Sequence, residues 1–166
     1  MRVRVALAQI NPTVGDLAGN SAAILRWCHE AVVHSGGADI IVFPEMVLTG
    51  YPVEDLALRT SFQDATLNAL DDLVRHIPDE IVALVGYLDN TDGGKPENAV
   101  AVIHNGQVKA RYVKNHLPNY GVFDEYRTFT PGSETVVVRI KGVDCAIAIC
   151  EDMWHPMPDV AARTPG

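Results

Sequence analysis

The sequence predicts an α/β fold built around a mixed sheet, and three observations carry that reading. Apolar, β-branched runs alternate with helical patterns in the order βαβαβ. The second of these runs, Asp39 to Phe43, is continuously apolar after its first residue, as in a sheet covered on both faces. Two later pairs of apolar runs are joined by Asn105-Gly106 and Lys141-Gly142, dipeptides suited to tight antiparallel hairpins.

The elements follow in order. Val3 to Ile10 reads as a first strand that Asn11-Pro12 ends. With Asn20 or Ser21 as N-cap, Ile24, Trp27, Cys28, Ala31 and Ser35 recur at helical spacing, and Gly36-Gly37 supplies the stop. This amphipathic helix carries Cys28 on its inner face. Together with the strand at Asp39 to Phe43 it makes a right-handed βαβ unit. Phe62, Ala65, Ala69, Leu70, Leu73 and Ile77 mark a second helix closed by Pro78, and Ile81 to Leu88 a third strand. Thr91-Asp92-Gly93-Gly94 is a loop. Asn98 to His104 and Gln107 to Val113 form a hairpin with a type I′ turn, and Thr135 to Ile140 with Val143 to Ile149 a further hairpin. A short helix is expected around Asp159 to Arg163. Helices on one sheet face leave the other in need of cover, so the chain is expected to be part of a larger domain.

Composition narrows the function. A chain of 166 residues with 48% hydrophobic residues can close one ordinary core. The net charge of -8 is the wrong sign for phosphate backbones or anionic lipid, so nucleic acid and membrane surfaces are not expected partners. No run approaches the roughly 20 apolar residues of a membrane span. Cys28, Cys145 and Cys150 cannot all pair, and no signal peptide precedes them, which points to free thiols in a reducing cytoplasm.

Several motifs are set aside. Ser35-Gly36-Gly37-Ala38-Asp39 resembles an SGGxD phosphate loop, but such a loop follows a strand and opens a helix, whereas here a helix precedes and a strand follows. Cys145 and Cys150, five apart on one predicted strand, would point to opposite faces, so no metal site is expected. Of the six histidines, His116, two residues after Lys114, is the one placed to act as a base.

The chemistry concentrates at strand ends. Glu45, Lys114 and Cys150 each lie just past the last apolar residue of a separate predicted strand, so level strand ends bring them to one rim, where open α/β sheets meet their ligands. An ammonium beside a thiol favours the thiolate, and a carboxylate can take the thiol proton, return it to a leaving group and then activate water. The lysine and the backbone amide of Glu151 can stabilise the oxyanion of a tetrahedral intermediate. These parts suit acyl transfer from an amide or nitrile.

At these residues the sequence resembles the nitrilase, or carbon-nitrogen hydrolase, superfamily. The stretches FPEMVLTGYPVEDL at 43–56, KNHLPNYGVFDEYRTF at 114–129 and ICEDMW at 149–154 are similar to the amino-terminal glutamine amidotransferase (glutaminase) domain of the glutamine-dependent NAD synthetases. The resemblance implies a four-layer nitrilase-like αββα sandwich, incomplete at the C-terminus. It implies that residues 1–166 are the N-terminal part of one such domain, with its remainder and the ATP-dependent synthetase domain absent. It implies Glu45 as general base, Lys114 as oxyanion and orienting group and Cys150 as nucleophile. It adds Glu125 as support for the lysine, and Tyr51, Tyr120 and Phe123 as lining of a glutamine pocket that Glu151 joins. It implies L-glutamine as substrate with no cofactor for its hydrolysis. ATP, Mg2+ and deamido-NAD belong to the absent synthetase domain, and full-length relatives to homo-oligomers. Two further readings stay open, a stand-alone amidase for another small amide and a silent interaction module.

Overall fold

The computed structural model describes residues 2–34, 36–90 and 93–155. Ser35, Thr91, Asp92 and the helix expected around 159–163 lie outside the described residues. The elements are β1 (Val5–Leu7), α1 (Leu17–Val33), β2 (Ile40–Val42), α2 (Thr60–Val74), β3 (Val82–Asp89), β4 (Glu97–His104), β5 (Gln107–Val113), α3 (Glu125–Thr128), β6 (Val137–Ile140) and β7 (Val143–Ala146). Two 3-10 turns, Glu54–Leu58 and Cys150–Trp154, complete them. None of the described helices is long and apolar enough to cross a membrane.

Strands β1 to β5 form one mixed sheet in chain order, β1, β2 and β3 parallel and β3, β4 and β5 antiparallel to their neighbours. Because β5 therefore runs in the same sense as β2, the carboxyl ends of both strands meet at one rim. One face packs on α1 and α2 through Ile24, Cys28, Leu70 and Leu73 against Ile41, Ala83, Val85 and Ala101. Pairing of Ile41 with Ala83 and of Val85 with Ala101 puts these residues on the same side of the pleat.

The cover for the other face is the β6–β7 ribbon. Ile140, Ile147 and Ile149 pack there on Ile40, Val82, Val100, Val102 and Tyr112. The last hairpin is thus a separate two-stranded sheet and not an extension of the mixed one. Its second strand ends at Ala146; Ile147 N still bonds Val136 O at 3.0 Å, while the side chains of Ile147 and Ile149 plug this core. Cys150 consequently opens a 3-10 turn, and no shared strand relates it to Cys145.

Other boundaries move for local reasons. The N-cap of α1 is Asp16, whose Oδ1 accepts from Gly19 N at 2.9 Å, so the helix begins a turn earlier than Asn20. Asn20 is instead buried inside α1, bonding the Thr13 and Leu48 carbonyls at 2.8 and 3.0 Å. Trp27 is 40% exposed, off the inner stripe of Ile24 and Cys28. In α2 the inner face runs through Gln63, Thr66, Leu70, Leu73 and Val74, while Ala65 faces solvent. Buried Gln63 is satisfied by Ala57 O and Asn90 Nδ2, each at 2.6 Å, which lets an amide sit where periodicity predicts a hydrophobe. The turns behave as read: Asn105 and Gly106 have φ of 51° and 62°, Lys141 and Gly142 48° and 79°.

Candidate active site

Alternation along the strands delivers the buried polar groups. Asn98 and Val100 on β4, and Tyr112 with Lys114 just past β5, share the ribbon-facing side of the sheet. Lys114 is fully buried as a result, with its backbone N–H on Asn98 O at 2.9 Å. Glu45 reaches the same place on a turn after β2. That turn crosses Gly86 so closely that a Cβ there would lie 2.4 Å from Met46 N. Met46 itself is held at φ 52°.

A buried ammonium needs compensating charge. Lys114 Nζ donates to Glu45 Oε1 at 2.8 Å and to Glu125 Oε1 and Oε2 at 3.1 and 2.9 Å. Burial alone would lower the affinity of this lysine for its proton, but the two carboxylates outweigh it and raise the pKa. Glu125, buried at the start of α3, is raised by burial against the opposing pull of Lys114. Tyr51 OH also donates to Glu125 Oε1, at 2.9 Å, so this aromatic acts on the carboxylate by its hydroxyl.

Cys150 occupies a strained turn at φ 46°, exposed at its surface. Its thiol is raised above the ordinary value by burial first and then by the Glu45 carboxylate. Lys114 and the hydrogen bond from the Glu151 amide pull the other way and do not win. The sequence-based expectation that the ammonium favours thiolate therefore holds for the direction of its own effect and fails for the net balance. The reason is that burial of the thiol, with the Glu45 carboxylate added to it, outweighs the single lysine.

Asp152 ties this turn to the end of β5. Buried to 1% exposure, it accepts from Ile149 N at 3.0 Å, Tyr112 OH at 2.7 Å, Asn115 N at 3.1 Å and His116 N at 2.8 Å. His116 Nδ1 lies on the same carboxylate at 3.1 Å, and its ring stacks on His155 at 4.4 Å. His116 is thus a strut of the turn, its Nδ1 occupied by Asp152. Glu151 is held by Tyr120 OH at 2.7 Å and His155 Nε2 at 3.2 Å, and the Tyr120 bond first among these keeps its carboxyl below the usual range. Phe123 meets Tyr120 edge to face at 5.9 Å, and both remain partly open to solvent.

Sequence reasoning missed Asn98 and Asp152. Asn98 Nδ2 donates to Glu45 Oε1 at 2.6 Å. Its position two before Val100, on the same strand face as Lys114, was the available signal. The acid Asp152 two residues after Cys150 was the other.

The carbon-nitrogen hydrolase family profile matches residues 4–166. This chain belongs to the carbon-nitrogen hydrolase family. Over 168 aligned residues it is 42% identical to a glutamine-dependent NAD(+) synthetase of Thermotoga maritima, covering 99% of this chain and 28% of that protein. The chain thus spans little more than a quarter of that relative. A glutamine-dependent NAD+ synthetase from Acinetobacter baumannii, solved with ADP, superposes with a TM-score of 0.85 at 37% identity, over 92% of this chain and 28% of that one. A CN-hydrolase superfamily protein from Xanthomonas campestris gives 0.75 at 21% identity, over 94% and 56%. The nitrilase-like fold is therefore established, and the described residues build its helical layer, its sheet and part of the facing β layer.

Among the described residues, the acidic and histidine side chains do not fit Mg2+, and the glycine loop does not fit the phosphates of ATP. Among the described residues no three His, Cys, Asp or Glu side chains are grouped to hold a metal. The glycine loop after α1 turns its Gly36 and Gly37 carbonyls to the Arg4 guanidinium at 2.5 and 2.6 Å, the opposite polarity to a phosphate cradle.

Proposed function

We propose that this chain hydrolyses L-glutamine as the amidase part of a glutamine-dependent NAD(+) synthetase, whose other domain uses the ammonia for ATP-dependent amidation of deamido-NAD. One observation carries the amidase reading: a fully buried lysine bridging two carboxylates, one of them beside a thiol on a strained turn. A structural ion pair has no need of that thiol, and an inert thiol has no need of φ 46°.

The chemistry follows from the charges. The thiol is protonated at rest, so attack requires transfer of the Sγ proton to Glu45 as the sulfur bonds to the amide carbon. The oxygen of the resulting tetrahedral intermediate is stabilised by Lys114, and the sulfur by the Glu151 amide. Glu45 returns the proton to the amide nitrogen, the C–N bond breaks, and ammonia leaves a γ-glutamyl thioester. Water then gives its proton to Glu45 and its hydroxide to the thioester, releasing glutamate and the thiol.

A glutamine analogue bearing an electrophilic diazoketone tests the first step by peptide mass spectrometry. One adduct at Cys150 is expected, and labelling at Cys28 or Cys145 in its place refutes the assignment. Ammonia release from a panel of small amides separates glutamine specificity from that of a stand-alone amidase.

A further inference from the structure

Among the described residues, Asn98 is the one uncharged side chain hydrogen-bonded to Glu45. It is fully buried in β4, paired with Leu88 of β3, and its carbonyl oxygen Oδ1 has no hydrogen-bond partner. A buried acceptor left unpaired is a cost that an apolar residue in the same sheet position would avoid. What the asparagine does make is the 2.6 Å bond from Nδ2 to Glu45 Oε1. Lys114 Nζ donates to that same oxygen at 2.8 Å. Oε1 therefore carries two donors, while Glu45 Oε2 receives none among the described residues. The orientation of the amide is fixed by this network, since a carboxylate accepts and repels a second acceptor.

We infer that Asn98 is a positioning residue for the reaction: by sharing Oε1 with Lys114, it reserves Oε2 of Glu45 as the oxygen that takes the proton from Cys150 and returns it to the leaving nitrogen. The inference rests on the reading of Glu45 as the base. The two donors occupy the lone pairs of Oε1 and set the plane of the carboxylate, so the proton that leaves Sγ arrives at Oε2, stays there while the tetrahedral intermediate forms, and departs from the same atom to the leaving nitrogen as C–N breaks. No other reactant is required. The charged or titratable groups around this carboxylate are Lys114, Glu125, the Cys150 thiol and the Tyr51 hydroxyl, the last two feeling its charge. Asn98 acts on the base without changing that charge count, which makes its effect separable from theirs.

The test is the pH dependence of Cys150 labelling by the glutamine diazoketone, followed by mass spectrometry on the whole chain, with thermal melting of every variant. A carboxylate deprived of a donor holds its proton more tightly, so the acid limb moves up in pH. For Asn98→Ala the rate at pH 8 is expected to fall about tenfold. Across a profile from pH 4 to pH 8 the midpoint of the acid limb is expected to move up by as much as about one pH unit, a change of up to about tenfold in rate on the limb itself. Asn98→Asp, of the same size and shape, is expected to displace the acid limb further by placing a second carboxylate against Glu45. An acid-limb midpoint unchanged from the wild type in either folded variant overturns the inference. So does loss of folding in both, because that makes Asn98 a structural asparagine. Wild-type chain that fails to label at Cys150 removes the amidase reading itself, whereas normal wild-type labelling with an unmoved acid limb removes only the role of Asn98.

Discussion

Cys28 and Cys150 are thiols that burial raises first in both cases, but only Cys150 has charged neighbours weighing on the balance. Cys28 lies in the core between α1 and the sheet with no exposed surface, and burial pushes its thiol up to about 12. Cys150 is also raised, but by a balance: burial and Glu45 push up, Lys114 and the Glu151 amide push down. Burial cannot be reversed without unfolding. A carboxylate can be neutralised by one proton, and in the proposed mechanism the thiol is the donor of that proton. The difference between an inert and a reactive cysteine here is therefore whether the opposing charge is removable.

The largest effect should come from deleting the nucleophile. Cys150→Ala is expected to lower ammonia release from glutamine by about 10⁴-fold or more, with Cys28→Ala leaving the rate of the folded chain unchanged. Equal losses in the two variants would dissolve the contrast. Next, Lys114→Met strips the shared cation from two buried carboxylates, and urea unfolding at pH 7 should show a loss of about 3–5 kcal/mol. The sign with pH is defined by Glu125, whose folded pKa is raised. A raised group contributes its full stability below its unfolded value and loses it as pH rises through the folded one. The Lys114→Met deficit should accordingly shrink as pH falls toward 4.5. A deficit independent of pH would mean that the lysine acts only by packing.

A sharper comparison uses iodoacetamide, which needs no general base. Removing the second-largest cause of the raised Cys150 thiol, as in Glu45→Gln, should lower its titration midpoint and speed alkylation at pH 8 several-fold, even as glutamine hydrolysis is lost. Slower alkylation would mean that Glu45 does not bear on the thiol. The smallest effect belongs to Cys28→Ala, about 1–2 kcal/mol at neutral pH. Its folded pKa of about 12 against an ordinary 9.0 means that wild-type stability falls as pH rises from 9 to 12. Denaturant titrations should show a shallower fall in the variant.

The distribution of what was readable follows the range of the forces. The βαβ order, the two glycine turns and the helix with Cys28 inside depend on neighbours a few residues away, and they are legible in the sequence. So is the set Glu45, Lys114 and Cys150 as reactive types at element ends, while Glu125, Tyr51, Tyr120 and Phe123 enter only through resemblance. The Asp16 cap was missed because Asn20 offers the same local chemistry four residues later, and only its bond to Leu48 O, across 28 residues, reveals it as buried. Which sheet the β6–β7 ribbon belongs to is not legible in the sequence, because alternation specifies a strand's faces and not its neighbour.

From the sequence alone came the element order, the turn types and the candidate reactive residues, because propensity and side-chain reactivity are local properties. Only the tertiary structure decided that Lys114 is buried between two carboxylates, that the Tyr51 hydroxyl donates to Glu125, that Asn98 holds Glu45 and Asp152 the Cys150 turn, and that the Cys150 thiol is raised above its ordinary value. Those outcomes depend on distance and on exclusion of water, and both are set by segments far apart in the chain.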